Sequence, residues 1–479
     1  MEPILQKRTK IVATIGPASR APAIMRSLFV SGANVLRLNF SHGSHDEHAE
    51  SIANARTIAS ELGIHAAVLQ DLPGPKVRTG RLADGVRSVR LERGQSFEIV
   101  TDEDVQGTAE RVSTSYRDLP ADVAIGNRLY LQDGQITLRI VEKTATSIST
   151  IVEYGGDLRS TQGINYPDGS LNVATVTDRD FEHLTFGLEH DVDYVAISFV
   201  RSAEDVERVK AFIAQHGSRR VPVIAKIEKH EALEDLDNIV RAADGVMVAR
   251  GDLGIEIPIE TVPIVQKRII AECNRASKPV VTATQMLESM IGSSRPTRAE
   301  ATDVANAILD GTDAVMLSGE SAIGAYPTEA VRTMAEIARE VEKYYPHHML
   351  RDRRLENMQP TIASSIAEAA TRASAELDTP YIVTGTTTGN TAHHIAAFRP
   401  QARIIALTPD PHVARRLALL WGTESLLIDK YSSIDVLLYM TERHMVQAGL
   451  VTSGDLVAFT TGMPVGAGGT NVLKIHQIP

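Results

Sequence analysis

Eight short apolar runs, each turning polar at its C-terminal end, recur along this chain: KIVATIG (10–16), NVLRLNFS (34–41), HAAVLQDL (65–72), YVAISFV (194–200), PVIAKIE (222–228), GVMVARGD (245–252), PVVTATQ (279–285) and AVMLSGE (314–320). Helical patterns separate most of them, at 21–31, 45–62, 203–216, 230–242, 260–276, 297–310 and 327–343. Runs of strand length alternating with amphipathic segments mark parallel strands joined by crossover helices. Eight such units predict a (β/α)8 TIM barrel, whose chemistry belongs at the C-terminal strand ends. A doubly wound open sheet is the competing topology, and eight consecutive units fit closure better.

Polar residues fall at those ends: Arg37 and Asn39, Asp71, Ser198, Lys226 and Glu228, Arg250 and Asp252, Thr284, Ser318 and Glu320. Strand side chains alternate faces, so Lys226 and Glu228 point the same way, and so do Arg250 and Asp252. If their two runs are neighbours, Lys226, Glu228 and Asp252 converge at one end of the sheet. A single charged strand residue is usually solvated or salt-bridged. Three on inward parity are costly to bury without a ligand. Two carboxylates and an ammonium point to a hard cation beside a substrate anion.

At 479 residues the chain exceeds one core. Residues 73–174 read as short β-segments with Gly and Asp turns, more an inserted domain than a loop. An all-β module over a barrel mouth can act as a lid that excludes water, with a passive insertion as the equal alternative. PHHMLRDRRLENMQP (346–360) reads as a linker. Beyond it come a helix near 361–376, strands YIVTGT, RIIALT, ESLLID and DLVAFTTG with helices between, and a closing NVLKIHQI. The expected division is a barrel domain at 1–72 and 175–345, a β lid at 73–174 and a C-terminal α/β domain at 346–479.

Lys plus Arg number 49 against 60 Asp plus Glu, a formal net charge of −11. That balance argues against general nucleic-acid or membrane-surface partners, while a phosphate pocket needs only a few local cations. Cys273 is the only cysteine, so no internal disulfide or thiolate zinc cluster can form. It falls in a helical pattern, where a small buried residue is expected. No apolar run approaches the ~20 residues that span a bilayer. MEPILQKRTK has no signal-peptide core, so a cytoplasmic location is expected.

Other constellations carry chemistry with less specificity. In RLNFSHG, Arg37, Asn39 and Ser41 share a strand face and His42 follows; Arg37 inside a barrel wants an anion, whether phosphate or carboxylate. LQDLPGPKVRTG makes a rigid turn into the insertion, with Lys76 and Arg78 near the mouth. Thr297 with Glu300 fits a helix capping box, whereas Thr284, Ser318 and Glu320 suit a proton relay. TTTGNT (Thr386, Thr387, Thr388, Gly389, Asn390, Thr391) runs from a strand end into a helix, a weak phosphate-cradle signal that also occurs as a plain cap. GAGGTN (466–471) is weaker still.

Taken together, KIVATIGPAS, LRLNFSHG, QDLPGPKVRTG, AKIE, MVARGDLGIEIP, TATQMLESMI, RPTRAEATDVANAILDG and MLSGESAIGAYP closely resemble the pyruvate kinase family, in order and over nearly the whole chain. The resemblance is to bacterial members that lack an N-terminal helical extension. It implies a barrel, a lid and an effector domain in a homotetramer, with phosphoryl transfer from phosphoenolpyruvate to ADP. It also implies that Glu228 and Asp252 hold Mg2+ or Mn2+, and that Gly251, Asp252 and Thr284 receive the substrate carboxylate. Lys226 would neutralise the phosphoryl group and the enolate, and Arg37 would contact the phosphate. Asn39, His42, Arg78 and Arg179, the last standing where the family has Lys, would line the nucleotide path. Enolate protonation would run through Thr284, Ser318, Glu320 and water.

Two departures stand out. Family members that bind K+ at residues matching Asn39, Ser41 and Asp71 read Gly-Pro-Glu where this chain has Gly74-Pro75-Lys76, and Leu72-Pro73 replaces Thr-Lys. An ammonium near that site would replace K+, since two cations repel by about 4 kcal/mol at about 4 Å and an effective dielectric of about 20. K+-independent activity is therefore expected. In the effector loop, Asn390 stands where bisphosphate-responsive animal forms have Arg, so a monophosphate (AMP or a sugar phosphate) is at least as well suited as a bisphosphate. Another metal-dependent enolate enzyme on the same barrel, or a catalytically silent regulatory relative, are the alternatives. Retention of Lys226, Glu228 and Asp252 speaks against the second.

Overall fold

The structure, a computed structural model, describes residues 7–358, 360–463 and 469–479. The first six residues of MEPILQKRTK and residues 466–468 of GAGGTN lie outside them. A closed parallel barrel is formed by Lys10–Ile15, Val35–Asn39, Ala67–Asp71, Tyr194–Ile197, Val223–Ile227, Gly245–Ala249, Val280–Ala283 and Ala314–Leu317, here strands one to eight. They follow sequence order around the ring, and strand one pairs with strand eight to close it. The open-sheet alternative is excluded.

Alternation along the strands sorts the apolar residues into two separate cores. Val12, Val35, Leu69, Ala196, Ile224, Met247, Val281 and Met316 fill the barrel interior. Ile11, Leu36, Val68, Val195, Val223, Val246, Val280 and Val315 face the surrounding helices. The helix patterns hold within a few residues, for example His45–Leu62, capped by Ser44 and Glu47, and Pro327–Glu342. The Thr297–Glu300 capping box is present on Arg298–Leu309, and Cys273 is fully buried in the outer core.

Three expectations are corrected. The run GVMVARGD is not all strand: it stops at Ala249 and Arg250–Glu256 is helical, so strand parity does not place Arg250 and Asp252 on one face. A helix at Asp178–Glu189, missing from the sequence reading, precedes strand four. Part of the proposed linker is the helix His347–Asn357, whose Arg354 side chain caps the carbonyl of Asn274 and reaches Ser277 Oγ at 2.6 Å.

The insertion after strand three holds a six-stranded sheet and a two-stranded one around their own apolar core, plus one short helix at Leu119–Asp122. The C-terminal part is a five-stranded sheet with a final antiparallel strand, Val472–Gln477. Its Ala418 and Leu419 pack with the residues lining the barrel interior. They meet it from the N-terminal strand ends, where Lys10 Nζ donates to Thr423 O at 2.6 Å. The barrel floor is thereby plugged, and its opposite end faces the lid.

Candidate active site

Strands two, three and five deliver a continuous ionic chain to the open end. Arg37 donates to Asp71 Oδ2 at 2.6 Å and to Thr14 Oγ1 at 3.0 Å. Lys226 Nζ lies 3.3 Å from Asp71 Oδ1 and 2.9 Å from Glu228 Oε1, and donates to Ser198 Oγ at 2.7 Å. All four charged side chains are buried. Such a cluster persists in a poorly polarisable interior because its charges alternate in sign.

Burial alone would lower the Lys226 pKa, but the charges of Asp71 and Glu228 outweigh it and hold it above the ordinary lysine value. Burial would raise the Asp71 carboxyl, yet Lys226 and Arg37 hold it below the ordinary range. Glu228 differs. Burial, helped by the nearby Asp252 charge, pushes its carboxyl up despite Lys226. Glu228 is thus the member of the chain with unmet demand for positive charge.

Asp252 accepts no hydrogen bond from the described residues and lines a cavity at the mouth with Phe199, Lys229, Pro75 and Lys76. A buried, proton-seeking carboxylate beside an unengaged one is a donor set that suits a hard divalent ion. The residues present fit Mg2+ or Mn2+.

The surrounding backbone is held out of ordinary conformations. Phe199 has φ 57°, which aims its N–H at Glu228 Oε2 at 2.7 Å. Thr284 and Gln285 follow one another at φ 66° and 54°. Left-handed geometry at a β-branched residue costs of order ~1–3 kcal/mol, and such strain gathers at functional sites. Arg250 pins this turn, donating to Thr284 O at 2.7 Å and pairing with Asp303 at 2.7 Å. Arg250 is therefore a buttress. Gly251 N donates to Thr284 Oγ1 at 2.7 Å, and that hydroxyl donates to Ala283 O at 2.7 Å.

The other expected residues separate into groups. Glu320 is buried and accepts from Ser318 N at 2.7 Å and Leu287 N at 3.1 Å, while Ser318 Oγ is buried without a partner. No direct hydrogen bond joins Thr284 to Ser318 or Glu320 among the described residues. Asn39 Oδ1 accepts from Ser41 N at 3.2 Å, and the His42 carbonyl receives His48 Nε2 at 2.9 Å. Arg78 is tied within the lid, donating to Thr161 O at 2.9 Å. Arg179 is exposed on the first turn of its helix, and Lys76 is exposed and has no bonded partner among the described residues. Among the described residues no hydrogen bond or ion pair joins Lys76 to Asn39, Ser41 or Asp71; Asn39 accepts from the Ser41 amide, and Asp71 is paired with Arg37 and Lys226.

In the C-terminal loop, Gly389 has φ 91° and its N–H meets Thr386 Oγ1 at 2.9 Å, so part of the supposed cradle satisfies itself. Thr391 and Thr386 are buried, Thr391 sharing a 2.7 Å hydrogen bond with Thr470. Thr387, Thr388 and Asn390 are exposed and line a large cleft against the barrel that also holds Arg220, Lys278 and Arg416.

Sequence reasoning missed Thr14 and Asp180, and it placed Ser198 at a strand end without assigning its hydroxyl to Lys226. Asp180 closes the capping box of its own helix and accepts from Gly74 N at 3.0 Å, anchoring the turn that leads into the lid. Ser198 had a visible signal, a polar residue at a strand's C-terminal end. Asp180 had one only for a reader who had placed the helix.

Comparison with known proteins agrees with this geometry. Residues 6–331 match the family model for the pyruvate kinase barrel domain and residues 364–476 the model for the pyruvate kinase alpha/beta domain. A pyruvate kinase of Geobacillus stearothermophilus is 44% identical over 477 residues, 99% of this chain and 81% of that protein. One from Clostridium acetobutylicum is 41% identical, over 98% of this chain and 100% of that protein. The crystal structure of a pyruvate kinase from Cryptosporidium parvum superposes with a TM-score of 0.94 at 35% identity, covering 99% and 97% of the two chains.

Proposed function

This chain belongs to the pyruvate kinase family, and from that premise we propose that its barrel mouth transfers the phosphoryl group of phosphoenolpyruvate to ADP, giving pyruvate and ATP. The observation that carries the reading is Lys226, a buried ammonium kept ionised between Asp71 and Glu228. Phosphoryl transfer asks little covalent chemistry of a protein and much fixed positive charge at defined places. A lysine whose pKa is raised cannot serve as a proton donor near neutrality. It acts as a fixed cation, opposite the phosphoryl group in flight and then the enolate oxygen.

Arg37 is oriented for the same phosphate: Asp71 and Thr14 hold two of its guanidinium nitrogens, and the third has no partner among the described residues. Glu228 and Asp252 would hold Mg2+ or Mn2+, which when bound neutralises charge on the phosphoryl and enolate oxygens. The Gly251 and Asp252 amides and Thr284 would receive the substrate carboxylate, which requires Thr284 Oγ1 to release the Gly251 N–H it now accepts. The unpartnered Ser318 hydroxyl, next to Glu320, supports a water-borne proton path to the enolate. Asn39, His42, Arg78 and Arg179 would border the nucleotide, with Arg78 and Lys76 delivered by the lid and its hinge. A coupled assay with phosphoenolpyruvate and ADP tests this: pyruvate release that does not require ADP would favour another enolate enzyme, and no release would favour a silent relative.

The same reading includes turnover without K+, with Lys76 supplying the charge. Its exposure and lack of a bonded partner among the described residues leave the ammonium free to swing toward the mouth. Activity in tetramethylammonium buffer checks it, and near-zero turnover rescued by K+ would refute it. It also includes a small phosphorylated effector at Thr386–Thr391, supported by Arg220, Lys278 and Arg416 in the adjoining cleft. AMP and sugar monophosphates should shift the phosphoenolpyruvate saturation curve; no shift with any of them counts against the site. A cytoplasmic homotetramer completes the proposal, and among the described residues no helix is long and apolar enough to cross a membrane.

A further inference from the structure

Beside the mouth, three buried side-chain atoms have no hydrogen-bond partner among the described residues: His230 Nδ1, Glu231 Oε2 and Glu256 Oε2. One potential ligand atom from each of these residues lies within 4.8 Å of the other two. His230 Nδ1 is 3.3 Å from Glu231 Oε2 and 3.6 Å from Glu256 Oε2. The second oxygen of each acid is engaged elsewhere. Glu231 Oε1 accepts from Ser170 Oγ at 2.6 Å, and Glu256 Oε1 accepts from Lys229 Nζ at 2.6 Å and Asn165 Nδ2 at 3.1 Å. The Glu256 side chain is only 1% exposed, so its free oxygen points into the protein and at the other two atoms.

An unsatisfied buried carboxylate oxygen is expensive, and two carboxylates converging on one point repel each other. Lys229 matches one negative charge and leaves the other unmatched. The spacing is informative. Ligands about 2.0–2.1 Å from a tetrahedral metal stand about 3.3–3.4 Å apart; the imidazole nitrogen stands 3.3 Å from one carboxylate oxygen and 3.6 Å from the other, so a small inward shift of Glu256 completes the spacing. A nitrogen with two oxygens suits a borderline transition-metal dication and not Mg2+, which prefers an all-oxygen octahedral shell.

We propose that His230, Glu231 and Glu256 form a second divalent-cation site, for an ion of the Zn2+ or Co2+ kind, distinct from Glu228 and Asp252. His230 and Glu231 follow strand five and Glu256 ends the helix after strand six. The ion would therefore fasten together the two segments that carry Glu228 and Asp252. Ser170 and Asn165 belong to the insertion, so it would also lie at the seam between barrel and lid.

The probe is Co2+, titrated in excess Mg2+ into the untagged full chain previously stripped of metal, with visible absorption and bound Co2+ per chain as readouts. Excess Mg2+ occupies the all-oxygen site. The wild type and Asp252→Asn should both develop the intense bands of four-coordinate Co2+, whereas His230→Gln and Glu231→Gln should lose them and bind one ion fewer. Bands that survive both of those variants, bands lost only in Asp252→Asn, or a wild type with no such bands would overturn the proposal. None of these readouts depends on turnover, so the kinase reading stands or falls separately.

Discussion

The barrel carries a buried ionic cluster at each end, and the two differ in what is left unbonded. At the floor, Arg399, 2% exposed, forks onto both oxygens of Asp313 at 2.7 and 3.0 Å and also reaches Asn274 Oδ1 and Gly311 O. Asp313 accepts further from Val280 N and Trp421 N, and the guanidinium lies over the Trp421 ring. Among the described residues, its Nε and the neighbouring Tyr345 Oη and Trp421 Nε1 are left without a partner. At the mouth, Arg37, Asp71, Lys226 and Glu228 are about as buried, yet Glu228 is proton-hungry, Asp252 is unengaged and Ser318 Oγ is unpartnered. Burial is common to both. Unmatched charge is what distinguishes a site from a clamp: the floor pairs one cation with one anion, whereas the mouth sets Asp71, Glu228 and Asp252 against Arg37 and Lys226.

The strongest way to break this comparison is to neutralise one lysine and one arginine. Lys226→Met should lower kcat by about a thousandfold, the upper range for removing a preorganised charge from a transition state. Its stability loss should be the smaller of the two, because Glu228, already pushed up by burial, takes a proton when the ammonium leaves. Arg399→Met should cost about 3–5 kcal/mol of unfolding free energy, since Asp313 is left buried and unpaired, and the folded fraction should keep a kcat of wild-type order. Urea unfolding and steady-state kinetics on both variants check this. A Lys226→Met enzyme that turns over normally, or an Arg399→Met protein as stable as wild type, would erase the distinction.

Both ends were legible in the sequence to different degrees. The barrel was readable because eight runs repeat one local pattern, and the mouth because Lys226 and Glu228, two residues apart where strand five ends, still turn toward each other. Parity failed at Arg250 and Asp252, where the chain leaves the strand after Ala249 and turns helical. Pattern reading assumes a strand continues until a breaker, and RGDLG has no breaker before Gly251. The helix Asp178–Glu189 was hidden by its proximity to the insertion, although Thr177 and Asp180 spell out a capping box. The floor clamp was invisible: Arg399 and Asp313 are 86 residues apart and nothing local pairs them. Long-range closure of valences is a tertiary property, and no periodicity announces it.

The hinge between barrel and lid gives a smaller effect. Gly74 has φ +64°, and a Cβ there would stand 2.9 Å from Phe199 Cδ2 and 3.1 Å from Ser198 Cβ. Gly74→Ala therefore combines a left-handed backbone with a collision against the two residues that hold Glu228 and Lys226. A loss of about 1–3 kcal/mol in stability is expected, with kcat falling further than that loss alone explains, because Ser198 and Phe199 must move. Thermal melts beside kinetics measure it. A variant with wild-type kcat would show that the mouth tolerates a shifted hinge and is less preorganised than the floor.

The smallest effect concerns pH, and it separates the two ends again. His347, whose Nδ1 meets Arg399 O at 2.7 Å beside Tyr345 and Trp421, has its pKa lowered to about 4, chiefly by burial. His393, facing the cleft beneath the C-terminal sheet, is likewise lowered to about 4 by burial. Unfolded histidine titrates near about 6.5, so between there and about 4 the unfolded chain binds more protons than the folded one. The stability these neutral rings contribute is complete above the unfolded value and is lost as pH falls below it. Partial exposure of His347 reduces its share to about 1 kcal/mol between pH 7 and 5. At the mouth, Lys226 is raised and Asp71 lowered, so neither changes charge across that interval, while Glu228, pushed up by burial, favours the folded state as pH falls and offsets part of the histidine loss in both proteins alike. Urea midpoints at pH 7 and 5 should therefore fall in the wild type and fall less in His347→Gln. Equal slopes in the two proteins would remove His347 from the acid response and leave His393 to account for it.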